Sequence, residues 1–280
     1  MTIIDSHIHL FEKPYSDLFD NSHIKDSDKG ELHLYEEYRE KYRIEAAFVI
    51  CYDEGHCPEN SSYVETLMKK RKWVYSFGYA RPGLRVFPNE AGESISRGHF
   101  GISCYLRSDD SAAWLHAAAL APVWDCIQDC KIPLSLTIWP HQCVELGKCL
   151  KKFPRLTVLI NHMGRPHLEN GKLDIKSYKN VLALSEFENV YVKLSGFYAF
   201  SGNGWSWPQR DLFSVLRLLQ KNFGAGKLMF ASDFAPVLEF NTYKQALELL
   251  RKGYAGFSEN ELKKIYYLNA KKIIMERQKL

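Results

Sequence analysis

The chain has 280 residues, 46% of them hydrophobic and 25% charged, with a formal net charge of +4. That length suits one α/β barrel, which needs about 250 residues, and the composition is that of a globular protein with 14% aromatic residues. Nothing resembles the basic stripe of a nucleic-acid binder, and no stretch approaches the roughly 20 apolar residues of a membrane span. Neither partner is expected.

MTIIDSHIHL carries no positive lead and no apolar run of signal-peptide length. The seven cysteines (51, 57, 104, 126, 130, 143 and 149) are odd in number and show no CxxC spacing. They read as reduced, mostly buried thiols, which places the protein in the cytoplasm. Cys126 and Cys130 lie one helical turn apart.

Short apolar, β-rich runs alternate with helical patterns, as parallel strands and crossover helices require. The predicted strands are Ile3–His9, Ala46–Tyr52, Val74–Ala80, Gly101–Leu106, Pro133–Trp139, Thr157–His162, Val190–Ser195 and Leu228–Asp233. Eight is the number that closes a barrel. Helices are predicted over Leu32–Arg43, Ser62–Arg71, Ala112–Asp129, Cys143–Phe153, Gln209–Asn222 and Glu259–Met275, the last opened by a Ser258/Glu261 capping box. No repeat or linker interrupts residues 1–280, so the expected fold is α/β, a single-domain (β/α)8 TIM barrel. The polar loop from Phe11 to Gly30 follows the first strand on the face where barrel sites are built, and is either a lid or a plain insert. A second loop, Ala199–Pro208, reads as a pocket wall or as a segment packing its own tryptophans.

The strongest chemical signal is Asp5-Ser6-His7-Ile8-His9. By strand alternation His7 and His9 project together with Asp5 below them, while Ile4, Ile8 and Leu10 face the helices. Two imidazoles about 6–7 Å apart on one strand face suit a shared divalent ion. His162 shares parity with Val158 and Ile160, and Asp233 with Ala231, so both are expected at inward strand ends. A carboxylate there is costly to bury unless it binds a cation or moves protons. In the seventh strand, alternation turns Tyr191, Lys193 and Ser195 inward. Arg81 and Arg107 end strands three and four, and Arg165 follows His162. Each of these cations, with Lys193, is a candidate for binding an anionic substrate. The ordinary alternative is a salt bridge for each Arg and a pair with Asp5 for Lys193.

DSHIHLF, NHMGRP, NVYVKLSGFY and LMFASDFAPV together resemble the amidohydrolase superfamily, in particular its amidohydrolase-related group of sugar lactonases and 2-pyrone-4,6-dicarboxylate lactonase. The resemblance runs from residue 3 to about 275. It implies that His7 and His9 are the first-strand metal pair, that His162 is the sixth-strand histidine, and that Asp233 handles the attacking water. Strand four, GISCYLR, lacks the lysine or glutamate that bridges two metals. Strand five ends SLTIW, without the histidine of many mononuclear members, and His141 lies two residues past Trp139. At most one zinc-like divalent ion is therefore expected, held by His7, His9 and Asp233, and either weakly bound or dispensable. The expected activity is hydrolysis of a lactone or related cyclic ester of an anionic or sugar-derived small molecule, with Asp233 and His162 catalytic. The alternatives are a metal-dependent decarboxylase of an aromatic or enoic acid, with His141 completing the shell, and a barrel that binds a small acid or metal without turnover. A homo-oligomer is left open.

Overall fold

The computed structural model describes residues 1–13, 15, 30–55 and 57–279. Most of the Phe11–Gly30 loop lies outside the described residues. Eight parallel strands form one sheet: β1 Ile3–Ile8, β2 Ile44–Ile50, β3 Val74–Tyr79, β4 Gly101–Tyr105, β5 Leu134–Thr137, β6 Val158–Ile160, β7 Val190–Leu194 and β8 Leu228–Phe230. A short antiparallel ribbon, Leu168–Glu169 with Lys172–Leu173, lies between β6 and β7. Just beyond β8 the sheet meets its first strand. Asp233 N–H donates to the His7 carbonyl at 2.9 Å, and Ile8 pairs with Phe234. The result is a nearly closed TIM barrel in a single domain.

Alternation sorts the strand side chains into two layers. Leu134, Leu136, Val158, Ile160, Val190, Val192 and Leu194 pack outward against the helices. Phe48, Phe77, Leu159, Tyr191 and Met229 fill the interior together with Ile273 and Ile274 of the C-terminal helix. Each such apolar side chain contributes roughly 1.5–3 kcal/mol on burial.

The first strand departs from simple alternation. From Asp5 to Ile8 it takes three steps while its partner β2 takes two, Ala47 to Val49. This β-bulge changes the phase of the strand. Ile4 belongs to the interior cluster, not to the outer layer predicted for it. Asp5 turns outward, correcting its predicted place below the histidines, and accepts hydrogen bonds from Tyr243 at 2.9 Å and Tyr35 at 3.3 Å. After the bulge, Ile8 and Leu10 face out as expected, and His7 and His9 face in.

The predicted helix Ala112–Asp129 is broken. Two 3-10 turns, Ala112–His116 and Ala118–Leu120, flank an extended Ala117, and an α-helix starts only at Ala121, where Pro122 supplies the preset backbone of a first turn. Helices Phe87–Ser96, Ile175–Ala183 and Tyr243–Glu248 were not predicted. Asp174 caps the second and a Thr242/Gln245 capping box opens the third. The Ser258/Glu261 box forms as read, but the helix behind it runs Glu259–Lys263, widens over Lys264–Leu268, and resumes over Asn269–Gln278. All seven cysteines are free, with Cys126 and Cys130 exposed and the rest buried. No helix among the described residues is long and apolar enough to cross a membrane.

Asn269 ties the C-terminal helix to the last strand, its amide donating to the carbonyls of Ala225 at 2.8 Å and Leu228 at 2.7 Å. Replacing it with alanine strands two buried carbonyls, so Asn269→Ala should lose about 2 kcal/mol of stability. Urea titration should show a lower midpoint with an unchanged slope.

Candidate active site

At the C-terminal mouth of the barrel, β1 and the end of β8 bring His7, His9 and Asp233 together. The Nε2 atoms of His7 and His9 stand 3.1 Å apart, and each lies 3.6 Å from Asp233 Oδ1. His9 Nδ1 is 2.8 Å from the Ile50 carbonyl and His7 Nδ1 is 3.2 Å from Asn161 Oδ1. If each Nδ1 carries the proton donated to that oxygen, both Nε2 atoms are bare lone pairs. Two lone pairs at that distance repel unless a cation lies between them. The spacings compare with the roughly 3.4 Å between neighbouring donors around a tetrahedral zinc with bonds of about 2.1 Å. The donor set therefore fits one zinc-like ion. His7, His162 and Asp233 also each offer one ligand atom, all within 4.8 Å of one another.

His162 reaches this centre by a different route from the one predicted. Val158 and Ile160 point outward, so parity would turn His162 out as well. Asn161 takes the inward position instead, bonded to Ser135 at 2.9 Å and Thr137 at 3.0 Å as well as to His7. The chain then enters a left-handed turn, with φ of 52° at His162, 56° at Met163, 71° at Gly164 and 55° at Arg165. A non-glycine residue there costs roughly 1–2 kcal/mol, and such strain is held at sites that the surrounding structure over-determines. Here Tyr178 donates to the Met163 carbonyl at 2.6 Å. The turn swings His162 inward, 3.0 Å from Ser195 Oγ and 3.8 Å from Asp233 Oδ2. A Cβ on Gly196 would lie 3.1 Å from the His162 ring, so glycine leaves the room it needs.

Burial governs the charges. It pushes the His162 imidazole down to about 3, with Arg165 and Lys193 adding to the effect, and it lowers His9 and, well below its ordinary value, His7. All three rings are neutral at pH 7. Burial raises the Asp233 carboxyl, opposed by His9 and by the Tyr198 hydroxyl, which donates to Oδ2 at 2.7 Å. Lys193 lies under the histidines, its ammonium pushed well down by burial, 2.7 Å from Ser135 Oγ and 3.4 Å from His7 Nδ1. It does not form the alternative pair with Asp5.

Of the candidate arginines, only Arg165 joins the site. Its guanidinium stacks 4.1 Å from the Trp139 ring centre and bears on the charge of His162. Arg81 is held away by Glu90, which binds both its backbone N–H and its guanidinium. Arg107 is mostly exposed and paired with Glu54 at 3.2 Å. His141 is exposed and contacts the Ser108 carbonyl at 3.0 Å, so it does not complete a metal shell. Asn161 and Tyr198 were not predicted. The parity of Leu159 could have pointed to Asn161, whereas Tyr198 comes from a four-residue helix, Phe197–Phe200, with no pattern of its own. In the loop Ala199–Pro208, Trp205 packs 5.1 Å from Phe240, and Trp207 donates to the Gln245 carbonyl at 3.0 Å.

A (β/α)8 barrel with this cluster at its mouth defines a metal-competent site, and the chain belongs to the amidohydrolase family, which it matches over residues 4–274. It is 26% identical to the L-fucono-1,5-lactonase of Burkholderia ambifaria over 132 residues, 46% of this chain and 42% of that protein. The chain spans less than half the length of the curated relatives it matches. Its fold is similar to a putative 2-pyrone-4,6-dicarboxylic acid hydrolase from Pseudomonas putida (TM-score 0.74, 20% identity, 98% and 97% coverage). It is also similar to a zinc-bound amidohydrolase from Burkholderia multivorans (TM-score 0.76, 16% identity, 98% and 99% coverage). A 2,6-dihydroxybenzoate decarboxylase from Rhizobium shares the fold as well (TM-score 0.64, 13% identity, 99% of each chain).

A Cβ on Gly164 would meet Val181 Cγ1 at 2.6 Å, at a φ of +71°. Gly164→Ala should therefore cost about 1–3 kcal/mol. Because the strain falls on the turn that carries His162, kcat should drop by more than the loss of folded protein explains. Thermal melting beside steady-state kinetics separates the two effects.

Proposed function

We propose that the protein is a hydrolase that opens a lactone, or a related cyclic ester, of an anionic or sugar-derived small molecule to the open-chain hydroxy acid. The observation that carries this reading is the convergence of His7 Nε2, His9 Nε2 and Asp233 Oδ1 at 3.1–3.6 Å beside a neutral His162. The lactone-acting names among the similar proteins support it. The free thiols suit a reducing compartment such as the cytoplasm.

Asp233 is the general base that takes the proton of the attacking water, a role worth roughly 10²–10⁴-fold. Tyr198, donating to Oδ2, fixes the carboxylate so that Oδ1 stays toward His7 and His9. With the Ser195 hydroxyl on Nδ1, His162 presents Nε2–H to the ester carbonyl and supports the charge that develops on its oxygen. Arg165, flat against Trp139, supplies positive potential to the same side. A single zinc-like ion, held by His7, His9 and Asp233, would supply Lewis acidity for activating water. The decarboxylase reading wants a histidine at the end of β5, where this chain has Thr137 and Trp139 and leaves His141 at the surface.

Asp233→Asn should lower kcat on a lactone panel at least 100-fold while circular dichroism and melting temperature stay close to wild type. Near-full activity would remove Asp233 from the mechanism. Release of carbon dioxide from hydroxybenzoates, without opening of any lactone, would replace the hydrolase reading with the decarboxylase one.

Elemental analysis should find one divalent ion per chain, lost in His9→Ala. Two ions per chain would contradict the single-ion site.

A further inference from the structure

Glu239 has no part in the chemistry described so far, yet it is only 9% exposed and its Oε1 has no hydrogen-bond partner. No cation among the described residues pairs with it. An ionised carboxylate in that setting is costly unless something donates to it. Its position is fixed. It ends the 3-10 turn Pro236–Glu239, which is locked to the catalytic strand end by Val237 N–H donating to the Asp233 carbonyl at 2.9 Å. The next residue, Phe240, stacks on Tyr198 with ring centres 5.2 Å apart and planes 18° from parallel, and Tyr198 holds Asp233. The Glu239 charge is felt at the hydroxyls of both Tyr198 and Tyr15. A buried acceptor thus stands on the same segment as the proposed base, next in sequence to the ring that stacks on Tyr198.

We propose that Glu239 is a specificity-determining residue that accepts hydrogen bonds from ring hydroxyls of the substrate, so that the site selects a polyhydroxylated ring over a bare one. This inference rests on the hydrolase reading for the bond that is cleaved. Hydroxyls donate, and a bond to a charged acceptor is about twice as strong as a neutral one.

The test compares aldono-1,5-lactones with δ-valerolactone, the bare ring, on wild type, Glu239→Gln and Glu239→Ala. Wild type should favour the best hydroxylated lactone by at least 100-fold in kcat/KM. That ratio should fall at least 10-fold in Glu239→Ala and less in Glu239→Gln, mainly through KM. A damaged fold would slow both substrates alike and leave the ratio standing, and an unchanged ratio overturns the proposal. Calorimetry with a set of unreactive 1,5-anhydroalditols gives a readout without turnover. Binding by wild type that weakens at least 10-fold in Glu239→Ala supports the subsite, and equal or absent binding overturns it. Absence of all lactone hydrolysis, with that binding intact, would overturn the hydrolase reading alone.

Discussion

The seam where β1 meets the end of β8 is the constraint on which the rest of the structure depends. A barrel must close on itself, and here it closes with side chains as well as backbone. Asp5 Oδ1 accepts from the Ser232 N–H at 2.8 Å, and Ser6 Oγ donates to the Phe230 carbonyl at 2.7 Å. Those two residues form the bulge, so one local irregularity stitches the seam and changes the phase of the strand. Had alternation run on from Ile4, His7 would face the helices. Asp5, raised to about 6 by burial despite its bonds from Ser232 and Tyr243, is the anchor of that arrangement, not a participant in the chemistry.

Closing the barrel there brings its first and last strands to one point, and this gives the site its character. His7 and Asp233 are joined through the backbone bond that completes the seam. The distance between an imidazole and the carboxylate is therefore set by the fold itself and not by loops. Below them Lys193, Ser135, Asn161 and Thr137 form a hydrogen-bonded floor contributed by three neighbouring strands. The floor orients His7 through Nδ1, as the Ile50 carbonyl orients His9. The polar groups that support the histidines are thus fully enclosed, which raises the cost of disturbing any one of them.

Most of the architecture was legible in the sequence because a parallel barrel writes itself as apolar runs at regular intervals. The eight strands appear within a few residues of where their patterns lie, and the inward set Tyr191, Lys193 and Ser195 follows alternation in β7 without exception. Alternation failed where the chain leaves its period. The Asp5–Ser6 bulge and the left-handed turn at His162 are invisible to a count of two, so Asp5 was placed inward and His162 was placed correctly for the wrong reason. Arg81 and Arg107 stand at strand ends as read, and for both it is the salt-bridge alternative that the structure shows, with Glu90 and Glu54 holding them outside the site. A residue such as Tyr198, delivered by a four-residue helix, leaves no periodic trace at all.

Because a putative pyrone-dicarboxylic acid hydrolase and a dihydroxybenzoate decarboxylase share one fold, the fold cannot choose between the chemistries, and the choice falls to the strand ends. At the end of β5 a histidine would add a third imidazole to the donors. In this chain that inward position is Thr137, spent on Asn161, while Trp139 serves as the platform for Arg165. Both are committed to orienting other groups, and neither offers a ligand of the imidazole type. The centre is thereby left with two histidines and one carboxylate, and the remaining imidazole, His162, is bound to Ser195 and kept neutral by burial. A neutral ring can donate to an ester carbonyl while Asp233 takes a proton from water, a division of labour that suits hydrolysis. Decarboxylation needs no base to activate water, so Asp233 would serve it only as one of the groups holding the ion.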